Sequence, residues 1–154
     1  MNITIVKKIR PDGSLCRKSA EVSDQLNQLN LSDRVTFTGL RSDVPQLMMG
    51  AMDMFLFPSL YEGLGLVLIE AQAAGLPCIL SDVVPSEADV VKPLMKRLSL
   101  TQPASYWAKE LLSYWAKEII PGALTSVMNS KFNLDISLRQ LTQIYQLNQT
   151  KTDD

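Results

Sequence analysis

The sequence predicts an α/β fold, with a doubly wound parallel sheet, helices on both faces and a helical carboxy-terminal tail. Three observations predict it. Strand-like and helix-like segments alternate from residue 3 to about residue 100, which is the order of successive βαβ units. The runs Met54-Phe55-Leu56-Phe57 and Pro77-Cys78-Ile79-Leu80 are almost wholly apolar and bounded by turn residues, as expected of strands buried on both faces of a parallel sheet. From Pro103 onward the strand signals stop and helical spacings remain.

The elements follow in order. Residues 3–9 are rich in β-branched side chains and are closed by Pro11-Asp12-Gly13, a strand and its turn. Residues 19–30 are polar but space Val22, Leu26 and Leu29 by four and three, which predicts an amphipathic helix. Residues 34–38 make a short strand stopped by Gly39. Asp43 is placed to cap a helix over 44–52, with Pro45 in the first turn, where a missing N–H does no harm. The strand 54–57 and the loop 58–62 lead into a helix from about Gly65 to Ala74. Gly75 is its C′ glycine and Pro77 its stop. Residues 77–80 form another strand. A loop containing Asp82, Pro85 and Ser86 leads to a short helix near Glu87, and 97–100 is the last strand. Two helical segments close the chain, 103–129 with a break at Pro121-Gly122, and 136–147. The final residues, 149–154, are expected to be a disordered tail. The octapeptide Ser105-Tyr106-Trp107-Ala108-Lys109-Glu110-Leu111-Leu112 is followed at once by Ser113-Tyr114-Trp115-Ala116-Lys117-Glu118-Ile119-Ile120. Eight residues advance a helix about 80° past two full turns, so the two copies face different ways. This reads as a local duplication, too short for a repeat architecture.

Composition removes several function classes. At 154 residues the chain holds one domain with a real core, and 46% hydrophobic with 20% charged residues is ordinary for a soluble protein. Fifteen basic against 16 acidic residues give a net charge of −1 and leave no basic stripe for nucleic acid. Histidine is absent, which removes Ser-His-Asp and Cys-His nucleophile systems and the commonest zinc ligand. Cys16 and Cys78 have no CxxC spacing and read as reduced thiols of a cytoplasmic chain. No apolar run approaches the ~18 residues of a membrane span. The amino terminus lacks the order of a signal peptide.

The chemistry concentrates in Pro58-Ser59-Leu60-Tyr61-Glu62-Gly63-Leu64-Gly65-Leu66-Val67-Leu68-Ile69-Glu70-Ala71. A buried strand ends, a loop presents one carboxylate, two glycines follow and a helix starts. Without Cβ atoms, Gly63 and Gly65 let a ligand approach the backbone. The unpaired N–H groups and positive dipole end of the helix suit a diphosphate. Glu62 beside them would repel an anion unless it faces something neutral and rich in hydroxyls, such as a sugar ring. Glu70 lies in a helix that is apolar nearly all round, so it is expected to be largely buried. A buried carboxylate needs hydrogen-bond donors, and two adjacent hydroxyls would serve. The plainer readings are that the glycines only make a turn and that Glu70 is solvated.

The run from Glu62 to Glu70 resembles the E-x7-E signature of retaining glycosyltransferases of the GT-B fold, the group called family 4 or group 1. Arg34-Val35-Thr36-Phe37-Thr38-Gly39 is similar to the family's V-x-F-x-G strand. Asp53-Met54-Phe55-Leu56-Phe57-Pro58-Ser59 and Glu70-Ala71-Gln72-Ala73-Ala74-Gly75-Leu76-Pro77 are similar to the segments that flank the signature. The resemblance covers roughly residues 10–147. It implies the carboxy-terminal, Rossmann-like half of a GT-B enzyme that transfers a sugar from a nucleotide-diphosphate-sugar to an acceptor. Glu70 would then bond the ribose, and Glu62, as the catalytic carboxylate, would contact the donor sugar. Gly63, Leu64, Gly65 and Leu66 would offer backbone N–H groups, and Gly39, Leu40 and Arg41 would lie near the base. No cofactor or metal is implied, and peripheral membrane association of the full enzyme is compatible with it. Surface polysaccharide assembly is the commonest setting for such sequences.

The sequence also departs from that family. Pro11-Asp12-Gly13 stands where a glycine-rich turn is usual, and Lys7, Lys8 and Arg10 do not match the family's diphosphate-neutralising Arg and Lys. The expected organisation is a nucleotide-sugar-binding domain over 1–102 with its first strand missing, and helices over 103–148 packing on it. The expected partner is an amino-terminal acceptor-binding domain or split half, without which the chain is expected to be inactive. Two other readings compete: a noncatalytic nucleotide-sugar or partner-binding module, and a sugar-nucleotide epimerase of related fold.

Overall fold

A computed structural model describes residues 3–5, 19–39, 41–115 and 120–149, with side chains over 21–39, 41–114 and 120–145. The chain divides into two compact units, Met1–Leu47 and Met48–Asp154.

In the first unit, β1 (Ile3–Ile5) pairs in parallel with β2 (Val35–Phe37), Ile3 opposite Val35 and Ile5 opposite Phe37. The rest of the expected first strand and its Pro11-Asp12-Gly13 turn lie outside the described residues, as does Cys16. Helix α1 (Ser19–Gln28) lies between the two strands in sequence, with Val22 and Leu26 half-buried as their spacing predicts. Leu29 falls beyond the last helical residue and is exposed. Asn30 there adopts a left-handed φ of 54°, a conformation asparagine tolerates better than most residues. Helix α2 (Val44–Gly50) begins where Asp43 predicts, and the Asp43 carbonyl accepts the Leu47 N–H at 3.1 Å. The helix runs on into the second unit.

The second unit is built on a three-stranded parallel sheet in the order β3-β4-β5. Its strands are β3 (Phe55–Phe57), β4 (Cys78–Ser81) and β5 (Met95–Leu98). Ile79 stands opposite Leu56 on one side and Lys96 on the other. The central strand β4 is buried along its whole length, which explains its run of apolar residues. Helix α3 (Leu66–Ala73) connects β3 to β4 and contacts β4. Gly75 ends it at φ 75°, with the Gly75 N–H bonded to the Gln72 carbonyl and the Leu76 N–H to that of Ala71. That pair of bonds is the Schellman motif. Three-residue 3-10 turns at Ser86–Ala88 and Lys92–Leu94 lie between β4 and β5.

Two apolar clusters hold these elements. Ile79 and Leu98 of the sheet pack with Tyr114, Trp107 and Leu111 of α4 (Ala104–Trp115). Ile69 of α3 packs with Ala88, Val91 and Leu94, and with Ala123 and Val127 of α5 (Ala123–Met128). Helix α6 (Leu134–Gln149) closes the described chain. Its last residue, Gln149, belongs to the helix, and the remainder of the expected tail lies outside the described residues. The first copy of the repeated octapeptide and the start of the second, through Trp115, fall in α4, and their two tyrosines meet different surroundings. Tyr106 is 40% exposed, whereas Tyr114 is 3% exposed and donates to the Pro93 carbonyl at 2.7 Å. The 80° offset expected of a helix accounts for the difference.

Two expectations need correction. The strand at 54–57 is not buried on both faces, because Leu56 is 47% exposed. Among the described residues β3 is an edge of its sheet, so one flank of its side chains lacks a neighbour. The last strand runs over 95–98, two residues earlier than expected. Lys96 and Arg97 hid it, since two adjacent cations weaken a strand pattern. Both are partnered, Lys96 by the Glu110 carboxylate and the Tyr114 ring, Arg97 by Asp89.

Candidate functional site

The site begins where β3 ends. Residues 58–65 leave the carboxyl end of a parallel strand, the usual location of ligands in such sheets, and α3 starts at Leu66. Gly65 is the N-cap of α3 with φ 76° and ψ 54°, a left-handed conformation that strongly favours glycine. A side-chain carbon at Gly65 would meet Leu68 Cδ1 at 3.1 Å and Glu62 Cγ at 3.4 Å. The side chain of Glu62 therefore lies against the backbone at the head of α3. Among the described residues, the N–H groups of Gly63, Leu64, Gly65, Leu66 and Val67 donate to no acceptor. They combine with the positive end of the helix dipole to make an anion-binding arrangement. Gly63 has open space where a side-chain carbon would stand, so packing does not demand glycine there.

Glu70 differs from expectation. It is exposed, and its carboxylate makes no hydrogen bond or ion pair among the described residues. Helix α3 buries Leu68, Ile69, Ala71 and Gln72 and leaves Leu66 and Glu70 to solvent. Solvent can therefore satisfy this carboxylate, and no diol is demanded by burial. The position remains informative. Leu66 and Glu70 are one turn apart on one face, and helical side chains lean toward the amino end. Glu70 thus shares its exposed face with the head of the helix.

The polar residue that α3 does bury is Gln72, which the sequence reading passed over. Its Nε2 donates to the carbonyls of Leu68 at 2.9 Å and Ala88 at 2.8 Å. Its Oε1 accepts the N–H groups of Val90 at 2.9 Å and Val91 at 2.7 Å. Four bonds satisfy a neutral amide completely. They tie α3 to the segment after β4. Arg97 was also passed over. It donates to the carbonyls of Val84 and Pro85 and to the Asp89 carboxylate, which fixes the loop that follows β4. A polar residue inside an apolar helix motif was the available signal for Gln72. Nothing local in the sequence marks Arg97.

The residues expected near the base lie in the first unit. Gly39 has a φ of 65°, and Leu40 is outside the described residues. Arg41 is exposed and makes a two-pronged bond to Asp43, at 2.7 and 2.5 Å. The hydrogen bond to Asp43 comes first, and the Asp43 charge second, in raising the Arg41 pKa. The same hydrogen bond holds the Asp43 carboxyl below its ordinary value. Cys78, inside β4, carries a free thiol that burial pushes up to about 12.

A separate apolar groove of about 410 Å³ lies beside β3, lined among others by Leu56, Pro58, Leu100, Trp107 and Leu111. None of the expected site residues lines it. Among the described residues no three His, Cys, Asp or Glu side chains group to hold a metal ion. Nor, among those residues, is any helix long and apolar enough to cross a membrane.

Comparison with known proteins identifies the family. Residues 17–118 match the family described as Glycosyl transferases group 1. The chain is 45% identical over 100 residues to EpsF of Bacillus subtilis (strain 168), a protein named as a glycosyltransferase, covering 65% of this chain and 25% of EpsF. It is 46% identical over 55 residues to the UDP-Gal:alpha-D-GlcNAc-diphosphoundecaprenol alpha-1,3-galactosyltransferase of Escherichia coli, covering 36% of this chain and 14% of that protein. Among solved structures, sucrose-phosphate synthase from Thermosynechococcus elongatus superposes with a TM-score of 0.75 at 26% identity, over 97% of this chain and 39% of the synthase. The chain thus spans a quarter or less of these two curated relatives.

Proposed function

The chain belongs to the glycosyl transferases group 1 family, and from that premise we propose that it binds the donor of a sugar transfer, a nucleotide-diphosphate-sugar, at the head of α3. One observation carries this reading. Glu62 packs against Gly65 beside a row of N–H groups that have no acceptor among the described residues. The N–H groups and the helix dipole suit the diphosphate. Glu62 serves the hydroxyls of the donor sugar, and Glu70, one turn along the same helix, serves the ribose. Gly39, Leu40 and Arg41 are assigned to the base. Transfer proceeds with retention and without a metal. Its barrier falls through positioning and through fixed dipoles facing the departing phosphate. The E. coli relative is named for UDP-Gal, so a uridine donor is the first to try. The E. coli relative is named for a diphosphoundecaprenol-linked sugar acceptor, which supports a role in polysaccharide assembly.

The acceptor side is assigned to a further domain or a split partner, because the similar proteins are more than twice as long as this chain. The chain by itself then binds donor without transferring it. Isothermal titration with UDP-, GDP- and ADP-linked sugars tests both parts. One nucleotide-sugar should bind saturably, with no transfer to an added acceptor. Heat signals absent across the whole panel would end the donor-site reading, and brisk transfer by the purified chain would end the half-enzyme reading.

A further inference from the structure

We propose that Ser81, outside the E-x7-E stretch, is a positioning residue that sets the loop carrying Glu62. Ser81 is the last residue of β4 and is fully buried. A buried hydroxyl at the end of an apolar strand must find a partner. Ser81 Oγ donates to the carbonyl of Ser59 at 2.5 Å, across 22 residues of sequence. The Ser59 hydroxyl in turn donates to the Tyr61 carbonyl at 2.8 Å. The two bonds run in series from the centre of the sheet to the residue before Glu62.

Little else holds that loop. Leu60 is 79% and Tyr61 87% exposed. Outside the strand ladder, no backbone hydrogen bond reaches residues 58–64 among the described residues. The loop is thus fixed at its start by Ser81 and Ser59, and at its end by the contact of Glu62 with Gly65. Ser81 does not touch the donor. It acts through the loop, and this consequence rests on the donor-site reading above.

The experiment compares the unaltered chain with Ser81→Ala and Ser59→Ala. Nitrogen-15 relaxation measures loop order without ligand, and titration compares UDP-glucose with UDP. In both variants the order parameters of Leu60, Tyr61 and Glu62 should fall from about 0.85 toward 0.6 or below, while those of α3 hold. Affinity for UDP-glucose should drop about tenfold, with that for UDP changed less than about twofold, because a hydrogen bond to the Glu62 carboxylate is lost only for the sugar. Unchanged loop order in a folded variant would overturn the proposal, as would an equal loss for both ligands. If Ser81→Ala does not fold, Ser59→Ala decides by the same readings, since Ser59 is not in the core. If the unaltered chain binds neither ligand, the donor-site reading falls, and loop order alone decides whether Ser81 sets the loop.

Discussion

In the proposed donor site Glu62 and Glu70 are assigned to different parts of one ligand, so their loss should be felt differently on each part. Glu62→Gln should weaken a nucleotide-sugar but leave the parent nucleotide unaffected. Glu70→Gln should weaken both. Each loss should be about tenfold or somewhat more, the scale of a hydrogen bond to a charged group. Because Glu70 is exposed, its substitution should shift folding stability by no more than about 0.5 kcal/mol. Titration and thermal melting of the two variants check this, and equal effects on nucleotide and nucleotide-sugar at position 62 would contradict its assignment. Cys78 gives a pH prediction. Its thiol titrates at about 12 in the folded chain, first through burial and then through the Asp89 charge, against 9.0 when unperturbed. Between those values the unfolded chain releases a proton that the folded chain keeps. Stability from this group is therefore intact below pH 9 and lost as pH rises toward 12. Urea midpoints from pH 8 to 10.5 should fall, and less steeply in Cys78→Ala. Tyr114, also raised by burial first and by the Cys78 charge second, acts in the same direction. At this scale the sequence was legible in part. Composition and spacing identified the Glu62–Gly65 turn. They misjudged Glu70, because a helix with apolar residues nearly all round does not reveal which arc meets the core.

Helix α3 is held by both apolar and polar contacts, and the polar ones are long-range. Gln72 bridges it to Ala88, Val90 and Val91, so Gln72→Leu strands the buried Val91 N–H and leaves the Val90 N–H and the Ala88 carbonyl only the 3.0 Å bond they make to each other. The expected cost is about 2 kcal/mol, the middle of the one-to-three range for one stranded group. Urea denaturation would show it, and a loss below about 1 kcal/mol would mean the segment after β4 finds other partners. The elements that the sequence placed well are those with local causes. Helix α3 has Gly65 before it and Gly75 after it, α2 has Asp43, and β4 has an unbroken apolar run. The element it misplaced, β5, depends on partners elsewhere. Lys96 and Arg97 become acceptable in a strand only because Glu110, Tyr114 and Asp89 are brought to them by folding. Neither partner set is visible in a local window of residues.

For the molecule as a whole, parallel strands and flanking helices were legible from the alternation of segments, and the sheet order within the second unit follows from it. What alternation could not show is which faces remain uncovered. Leu134, Leu138, Leu141 and Tyr145 lie along α6 at steps of four, three and four, and all are exposed. That spacing makes one seam along a helix. The net charge of −1 opposes contact only weakly. The chain should elute from a sizing column progressively earlier as its concentration rises, and Leu138→Lys with Leu141→Lys should remove the trend. A concentration-independent monomer would refute this. The consequence reaches into the test tube: static light scattering should give a negative second virial coefficient, and arginine should help more than added salt in keeping a millimolar sample clear.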